Sequence, residues 1–267
     1  VDAASLNLES VNLAWHQADE PEVTLRDNAI FIPRIRRLAV TQDATSHALA
    51  LRKGTVLLTG GTGGLGALTA RHLVQEHGVK HLLLTSRRGM DSSGATELRE
   101  ELLAMGATTV RIEACDVADA AQVQSLVASI DGEQPLSGVF HLAGVIEDGL
   151  VQSLSAESLQ KVLRPKVDGA WNLHQHTQGL DLSYFVLFSS IGGSFGNPGQ
   201  GNYAAANVFM DALAAYRRSA GLKATSLAWG LWAGDGMGAS LSELEKQRMK
   251  QSGIAPLSES VGLSLLD

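Results

Sequence analysis

The stretch TVLLTGGTGGLGALTARHL, residues 55–73, joins a short apolar run, a glycine-rich loop and an amphipathic helical pattern in direct succession. Between residues 60 and 66, five of seven positions are glycine. Such a loop between a strand and a helix lets the backbone turn tightly and approach a pyrophosphate at the helix N-terminus. The order of the three parts predicts a dinucleotide site, and a merely tight turn is the simpler alternative.

Composition limits the class of protein. The chain has 267 residues, of which 45% are hydrophobic, and a net charge of −7, so it is long enough for one substantial α/β domain and a smaller piece. It has no basic run of the kind that nucleic acid or an anionic membrane would require, and no apolar run of the roughly 18 residues that span a bilayer. The single cysteine, Cys115, excludes an internal disulfide and is typical of a reducing compartment.

We therefore expect a soluble, cytoplasmic protein with no nucleic-acid or membrane partner. Because the chain begins with valine and not methionine, we also expect it to be a segment of something longer. Two unequal parts are predicted. Residues 1–40 contain two strand-like pieces, NLAWH at 12–16 and AIFIPRI at 29–35, and are too few to bury a core alone. A polar linker at 41–51 then leads into a large unit at 52–267.

The large unit alternates strand-like runs with helix-length amphipathic segments. This alternation predicts a parallel sheet with helices on both faces, a doubly wound α/β fold of the Rossmann type. The predicted strands are TVLLT (55–59), HLLLTS (81–86), VRIEAC (110–115), GVFHLA (138–143), YFVLFSS (184–190) and ATSLAW (224–229).

The end of the second predicted strand indicates which dinucleotide is bound. NAD enzymes tend to have an acidic residue there for the ribose 2′-hydroxyl, whereas this chain has Ser86, Arg87 and Arg88, which suit a 2′-phosphate. The interpretation favours NADPH, and for Arg88 a role as a solvated loop charge is also plausible. Asp116 follows the third strand. It is placed either to contact the adenine edge or to cap a helix starting at Ala118.

Reacting groups are expected at the carboxyl ends of the later strands, where open sheets of this kind bind ligands. Ser190 precedes Tyr203 by thirteen residues, and Asn207 lies one helical turn beyond Tyr203 on the same face. A phenol has a pKa of about 10, so a tyrosine that protonates an alkoxide needs a nearby cation. Lys166, on the helix before the YFVLFSS strand, is the candidate. Taken singly, Ser190 also suits a strand-end cap, Tyr203 a core aromatic residue and Lys166 a surface charge.

Several motifs together resemble the ketoreductase domain of modular polyketide synthases, in the short-chain dehydrogenase/reductase superfamily. The superfamily's usual Tyr-x-x-x-Lys pattern is altered here, because Asn207 follows Tyr203 at that spacing and the lysine is at position 166. That exchange is the polyketide ketoreductase pattern. Residues 1–40 resemble the last part of the inactive structural subdomain that precedes the catalytic one. The motifs are TGGTGGLG, HLAG (141–144), FSS, NPGQGNYAAAN and LAWGLW (227–232).

The resemblance implies reduction of a β-ketoacyl group, tethered by phosphopantetheine to an acyl carrier protein, within a chain that also carries neighbouring synthase domains. NADPH would supply hydride. Ser190 and Tyr203 would bind the oxyanion and Tyr203 would donate the proton, while Lys166 would hold the nicotinamide ribose and Asn207 would orient Lys166 or a water. The implied cofactor-binding residues are Thr59, Gly60, Gly61, Thr62, Gly63, Gly64, Leu65, Gly66, Ser86, Arg87, Asp116, Val117, Ala143, Gly144, Lys166 and Tyr203, and no metal is implied.

The resemblance also implies a stereochemical type. Glu147 and Asp148 lie where B-type domains have the end of a Leu-Asp-Asp fingerprint, and Phe195 lies where A-type domains typically have tryptophan. Ala205 replaces the proline associated with epimerised substrates. We expect a B-type domain that gives a D-hydroxyl from an unepimerised substrate, although the two acids also suit ordinary loop positions. Two alternative functions are also consistent with the sequence. The chain could be a ketoreductase-like scaffold without activity, or a free-standing reductase of a small ketone.

Overall fold

The computed structural model describes residues 7–17, 19–20, 22–27, 29–34, 36, 53–233 and 255–267. Contacts divide the chain into two compact units, Val1–Ser46 and His47–Asp267. The predicted linker at 41–51 lies outside the described residues. Within the part of the chain that the structure describes, no helix combines the length and the apolar character needed to cross a bilayer.

Among its described residues, the small unit has one helix and one hairpin. Helix α1 is Leu8–Trp15, and strands β1 (Thr24–Arg26) and β2 (Ala29–Phe31) pair antiparallel. The prediction of a strand at 12–16 is wrong, because those residues belong to α1 and the turn after it. The physical reason is a capping box, in which the Asn7 side chain accepts from the Ser10 amide and Ser10 accepts from the Asn7 amide.

The large unit is built on a six-stranded sheet in the order β5-β4-β3-β6-β7-β8, in which every neighbouring pair is parallel. All six predicted strands are present, with ends shifted by no more than two residues, so the predicted doubly wound α/β fold is confirmed. The strands are β3 (Thr55–Thr59), β4 (His81–Ser86), β5 (Thr109–Ala114), β6 (Leu136–His141), β7 (Tyr184–Ser190) and β8 (Thr225–Trp229).

Helices cover both faces of this sheet, as its apolar strands require. Val56 and Leu58 of β3 pack with α2, α3 and α9 on one face, whereas Leu57 packs with α4, α6 and α8 on the other. The α-helices that the structure describes in this unit are α2 (Gly64–Gln75), α3 (Ala95–Ala104), α4 (Ala120–Ala128), α5 (Ala156–Lys166), α6 (Asp168–Thr177), the single turn α7 (Gly192–Phe195), α8 (Gly201–Ser219) and α9 (Glu259–Leu266).

The strand order reverses direction between β3 and β6. Strands β4 and β5 extend the sheet on one side of that point, and β7 and β8 extend it on the other. In open α/β sheets the crossovers on the two sides lie on opposite faces, which leaves a crevice at the carboxyl ends of the central strands. The topology therefore positions a site where the β3–α2 loop faces the ends of β6 and β7.

Candidate active site

A cavity of about 1410 Å³ lies at this point. Its walls come from the glycine loop, the ends of β4, β6 and β7, helix α5 and the start of α8. Of the predicted site residues, those on its lining are Gly60, Thr62, Gly63, Gly64, Leu65, Gly66, Ser86, Arg87, Asp116, Val117, Ala143, Gly144, Asp148, Lys166, Ser190, Phe195 and Tyr203. Thr59, Gly61, Glu147 and Asn207 are not among the lining residues.

The glycine loop folds back tightly on itself and on the β6 side of the crevice. Gly60 has a φ of +69°, a conformation that L side chains rarely adopt, and its backbone lies against Ala143. A Cβ atom on Gly66 would lie only 2.2 Å from the carbonyl oxygen of Gly60. Both positions therefore require glycine, because the loop leaves no room for side chains there.

Helix α2 presents its N-terminus to the cavity without a side-chain cap among the described residues. Its N-cap is Gly63, which has no side chain. Helices α4, α5 and α9 differ, because Asp119, Ser155 and Ser258 accept hydrogen bonds from their first-turn amides. The first turn of α2 thus keeps the partial positive charge of a helix N-terminus available to a ligand, and a pyrophosphate group fits this position.

Arg87 is an exposed cation on the cavity wall at the end of β4. It forms no ion pair with any residue that the structure describes, whereas Arg88 beside it is not part of the lining. The hydroxyl of Ser86 lies 2.9 Å from that of Ser92 and accepts a hydrogen bond from the Gly89 amide. Ser86 therefore also holds the turn that carries the two arginines.

Asp116 lies on the wall but does not cap a helix. Helix α4 starts at Ala120 with Asp119 as its N-cap, so the alternative of Asp116 as a cap for a helix from Ala118 is wrong. Asp119 is better placed because its side chain reaches two first-turn amides. Asp116 instead accepts from the Ala118 amide at 3.0 Å and from the guanidinium of Arg164 at 3.2 Å. Sequence reasoning did not single out Arg164, which also lines the cavity.

Lys166 is the last residue of α5 and is only 2% exposed. It does not lie on the helix directly before β7, because α5 ends at Lys166 and a separate helix, α6, starts at Asp168. Its ammonium donates to the carbonyl of Phe188 at 3.0 Å and to Oδ1 of Asn207 at 3.1 Å. Burial lowers the pKa of Lys166 to about 7, with a smaller opposing effect from Asp211.

Gly144 makes room for this lysine. A Cβ atom at position 144 would lie 2.8 Å from Cε of Lys166, so a larger residue there would displace the end of the lysine side chain. In the same segment, Nδ1 of His141 lies 2.7 Å from the hydroxyl of Thr59, and burial lowers the pKa of His141 to about 3. The quoted HLAG motif contains His141, but the sequence alone indicated no partner for it.

Tyr203 and Asn207 lie one turn apart in α8, and both are buried. The Asn207 amide donates to the carbonyl of Tyr203 at 2.7 Å, while its oxygen accepts from Lys166. The Lys166 ammonium is 5.3 Å from the centroid of the Tyr203 ring. Ser190, at the end of β7, accepts from the Gly192 amide at 3.2 Å. Strand β7 and helices α5 and α8 thus bring these four polar side chains together.

The electrostatics of Tyr203 differ from the simple expectation of a cation that lowers its pKa. Burial is the largest effect and raises the pKa of Tyr203, and the charge of Asp148 raises it further. Hydrogen bonding with Asn207 and Ser190 acts in the opposite direction. The phenol therefore carries its proton at neutral pH, as an unperturbed phenol with a pKa of about 10 also does, and can donate it as a general acid.

The segment with Glu147 and Asp148 is joined to the segment just before Tyr203. The side-chain amide of Gln200 donates to both carboxylate oxygens of Asp148, each at 3.1 Å. The side-chain amide of Asn202 donates to the carbonyl oxygen of Glu147 at 2.9 Å. The side chain of Glu147 forms an ion pair with Lys161. Both acids therefore have specific partners. Phe195 is 56% exposed and lies on the cavity lining.

The fold and the cavity define a nucleotide-binding domain of the Rossmann type, with a buried tyrosine and lysine opposite its glycine loop. The chain belongs to the KR domain family, which matches residues 54–234. The resemblance to ketoreductase domains of polyketide synthases is thereby confirmed.

Among curated proteins, the chain is 48% identical over 262 residues to polyketide synthase GfsA of Streptomyces halstedii, covering 98% of this chain and 3% of that protein. It is 54% identical over 215 residues to the spectinabilin polyketide synthase system protein NorB of Streptomyces orinoci, covering 80% of this chain and 10% of that protein. The chain therefore spans only a small part of these relatives.

Solved structures of the same kind superimpose closely. One described as A-type ketoreductases from a modular polyketide synthase has a TM-score of 0.86 and 40% identity, over 96% of this chain and 53% of that one. One described as a C2-type ketoreductase from a modular polyketide synthase has a TM-score of 0.83 and 32% identity, over 100% of this chain and 56% of that one.

Proposed function

We propose that this domain reduces a β-ketoacyl group to a β-hydroxyacyl group with NADPH. The observation that carries the proposal is the cavity itself, where Tyr203, Ser190 and Lys166 line the wall opposite an uncapped helix N-terminus. A dinucleotide with its pyrophosphate at α2 would extend toward this wall. The bound nicotinamide would supply a hydride to the β-carbon.

The chain's own residues would handle the oxygen and the proton. Tyr203 donates its phenolic proton to the ketone oxygen as the hydride adds to the carbon, so that a C–OH group replaces C=O. Ser190 donates a second hydrogen bond to the developing oxyanion. The buried charge of Lys166 favours the tyrosinate that remains, and Asn207 orients Lys166 through their 3.1 Å hydrogen bond.

The preference for NADPH is proposed from the end of β4. Arg87 faces the cavity and has no ion-pair partner among the described residues, so its guanidinium is available to a 2′-phosphate. Ser86 supports that turn. Gly144 and Ala143 form the opposite edge, where Lys166 would reach the nicotinamide ribose.

We propose the B-type stereochemical course, with a D-hydroxyl product from an unepimerised substrate. Support comes from Asp148, whose contact with Gln200 ties its loop to the segment leading to Tyr203, and from Phe195 in place of tryptophan. Similarity to solved A-type and C2-type domains concerns the shared fold.

The proposed substrate is tethered through phosphopantetheine to an acyl carrier protein, and the proposed context is a larger synthase with further domains. The relatives support this context, because the matched segments are 3% and 10% of polyketide synthases. The cavity is also large enough for a cofactor and a thin tethered chain together.

The test is an assay of the purified chain with NADPH and three substrates: a β-ketoacyl carrier protein, a short free β-ketoacyl thioester and a small diffusible ketone. We expect turnover of both thioesters, and chiral chromatography should show the D-hydroxy product. Predominantly L product would overturn the B-type assignment. Turnover of none would favour an inactive scaffold, and faster turnover of the small ketone would favour a free-standing reductase.

A further inference from the structure

Outside the cavity, the C-terminal end of α2 meets α9 at a cluster formed by His72, His77 and Asp267. His72 lies in the last turn of α2, His77 follows the end of that helix, and Asp267 directly follows Leu266 of α9. The Nε2 atoms of the two histidines each lie 2.8 Å from Oδ1 of Asp267, and they are 3.4 Å from one another. We propose that this cluster binds a divalent transition metal of the zinc class.

The spacing of the two nitrogens suits zinc. With Zn–N distances of about 2.0–2.1 Å, a nitrogen separation of 3.4 Å corresponds to an N–Zn–N angle of about 110°, which is the tetrahedral value. The carboxylate oxygen would have to move outward by about 0.5 Å to complete the same geometry. Asp267 can make that shift because its side chain is 36% exposed. A water can supply the fourth ligand from the exposed side.

The charges around the cluster favour a cation. Helix α2 ends here, and a helix C-terminus carries a partial negative charge. Asp267 supplies a carboxylate oxygen, and the histidine side chains beside it are only 8% and 3% exposed.

Hydrogen bonding alone satisfies this arrangement less well. Without a metal, both Nε2–H groups have to point at one oxygen while their nitrogens lie 3.4 Å apart. A single cation would replace these two converging protons. Nδ1 of His77 is buried and has no partner among the described residues, so the outer hydrogen bonds that tighten metal sites are incomplete there. We therefore expect micromolar and not nanomolar affinity.

Such a metal would have a structural role. It would join α9 to α2, the helix that starts at the glycine loop, and Glu259 at the other end of α9 lines the cavity. Leu266, directly before the aspartate, is buried in the same core as α2. The metal would thus hold one side of the cavity in position without contacting the reacting groups.

The experiment uses the whole chain after removal of metals with a chelator. Cobalt(II) titration should give the visible absorption band of a tetrahedral site at one equivalent, and zinc should displace it. In thermal unfolding, zinc at about 100 times its Kd should raise the Tm by about 5 °C. These readouts do not depend on the proposed reductase activity, so failure here and failure of the proposed function are distinguishable.

Variants assign the site. Asp267→Asn keeps an oxygen that accepts both imidazole protons but removes the charge, so it should change the metal-free Tm little and weaken zinc binding at least tenfold. His77→Gln should abolish the cobalt band. His81→Gln, at the start of β4 and outside the cluster, is the matched control and should bind like wild type. Absence of binding in wild type, or binding retained by both cluster variants, would overturn the proposal and leave a hydrogen-bonded contact only.

Discussion

The two walls of the cavity are built in opposite ways. The glycine wall is one continuous stretch, residues 60–66, which works by having almost no side chains. The wall opposite takes Lys166, Ser190 and Tyr203 from three separate elements, with Asn207 behind the lining as the partner of Lys166, and it works through polar groups that are mostly buried. The comparison teaches that close backbone approach can be encoded locally, whereas a set of reacting groups requires packing between distant segments.

The walls also obtain their charge differently. At the glycine wall, positive potential comes from the N-terminus of α2 and does not titrate. At the other wall it comes from one buried ammonium, whose pKa burial lowers to about 7. A change of pH should therefore alter the wall with Lys166, here called the second wall. A change of residue size should mainly disturb the glycine wall.

The largest expected effect is on the second wall. Tyr203→Phe removes the proposed proton donor while keeping the ring, so kcat for the β-ketoacyl thioester should fall by a factor on the order of 10² or more, with NADPH affinity nearly unchanged. Tyr216→Phe is the matched control, because Tyr216 lies on the same helix with 55% exposure. Steady-state kinetics measure both. A Tyr203→Phe enzyme as active as the control would make Tyr203 a packing residue.

The next effect concerns the buried charge. Lys166 titrates near 7 in the folded chain but near 10.4 when unfolded, so between these values the unfolded chain binds more protons and stability rises with pH. From pH 6.5 to 9.5, wild type should gain about 3 kcal/mol in unfolding free energy relative to Lys166→Met. The two hydrogen bonds lost in the variant cancel in this difference.

Urea denaturation at the two pH values measures this gain. Lys161→Met is the control, because Lys161 lies on the same helix but is 63% exposed, and its loss takes no buried charge out of the fold. Parallel pH profiles for wild type and Lys166→Met would show that the lysine is hydrated and not desolvated as the structure has it.

A smaller effect is expected at the glycine wall. In Gly66→Ala, the new Cβ would lie 2.2 Å from the Gly60 oxygen and 2.7 Å from Cα of Gly61, so the loop has to open. Overpacking of this kind costs about 2 kcal/mol, and the Kd for NADPH should rise about 30-fold. Gly132→Ala is the control, since its Cβ meets no atom within 4 Å. Fluorescence titration that gives equal affinities would contradict the loop's proposed role.

The smallest effect separates two adjacent arginines. Arg87→Ala should remove most of an NADPH over NADH preference of at least tenfold, about 1.4 kcal/mol, because it deletes the cation that faces the cavity. Arg88→Ala should leave the preference in place, since Arg88 is not on the lining. The ratio of kcat/KM for the two cofactors measures this. Equal loss in both variants would indicate a general charge effect.

Sequence patterns predicted the large unit well and the small unit less well. The six strands were evident because each is an apolar run bounded by turns, and β3 is buried at all five positions. The apolar residues at 12–16 predict a strand, because a run of five residues is too short to show the 3.6-residue periodicity of a helix. The cap at Asn7 and Ser10 that starts α1 lies outside that window.

In the site, contacts within one helix were predictable from the sequence, whereas contacts between distant segments were not. Spacing within one helix correctly related Tyr203 to Asn207, because they are four residues apart in α8. It did not indicate that Arg164 pairs with Asp116 or that His141 meets Thr59, since these pairs are 48 and 82 residues apart. Pairs so distant in sequence meet only when the sheet order and helix packing are known.

The sequence by itself determined the doubly wound sheet, the glycine loop and the residue types available for reduction. These features are local, since periodicity and backbone freedom act over a few residues. Only the tertiary structure decided that Lys166 is buried and meets Asn207, that burial raises the pKa of Tyr203, and that His72, His77 and Asp267 come together. Desolvation and convergence depend on which distant segments pack against one another, and no short stretch of sequence contains that information.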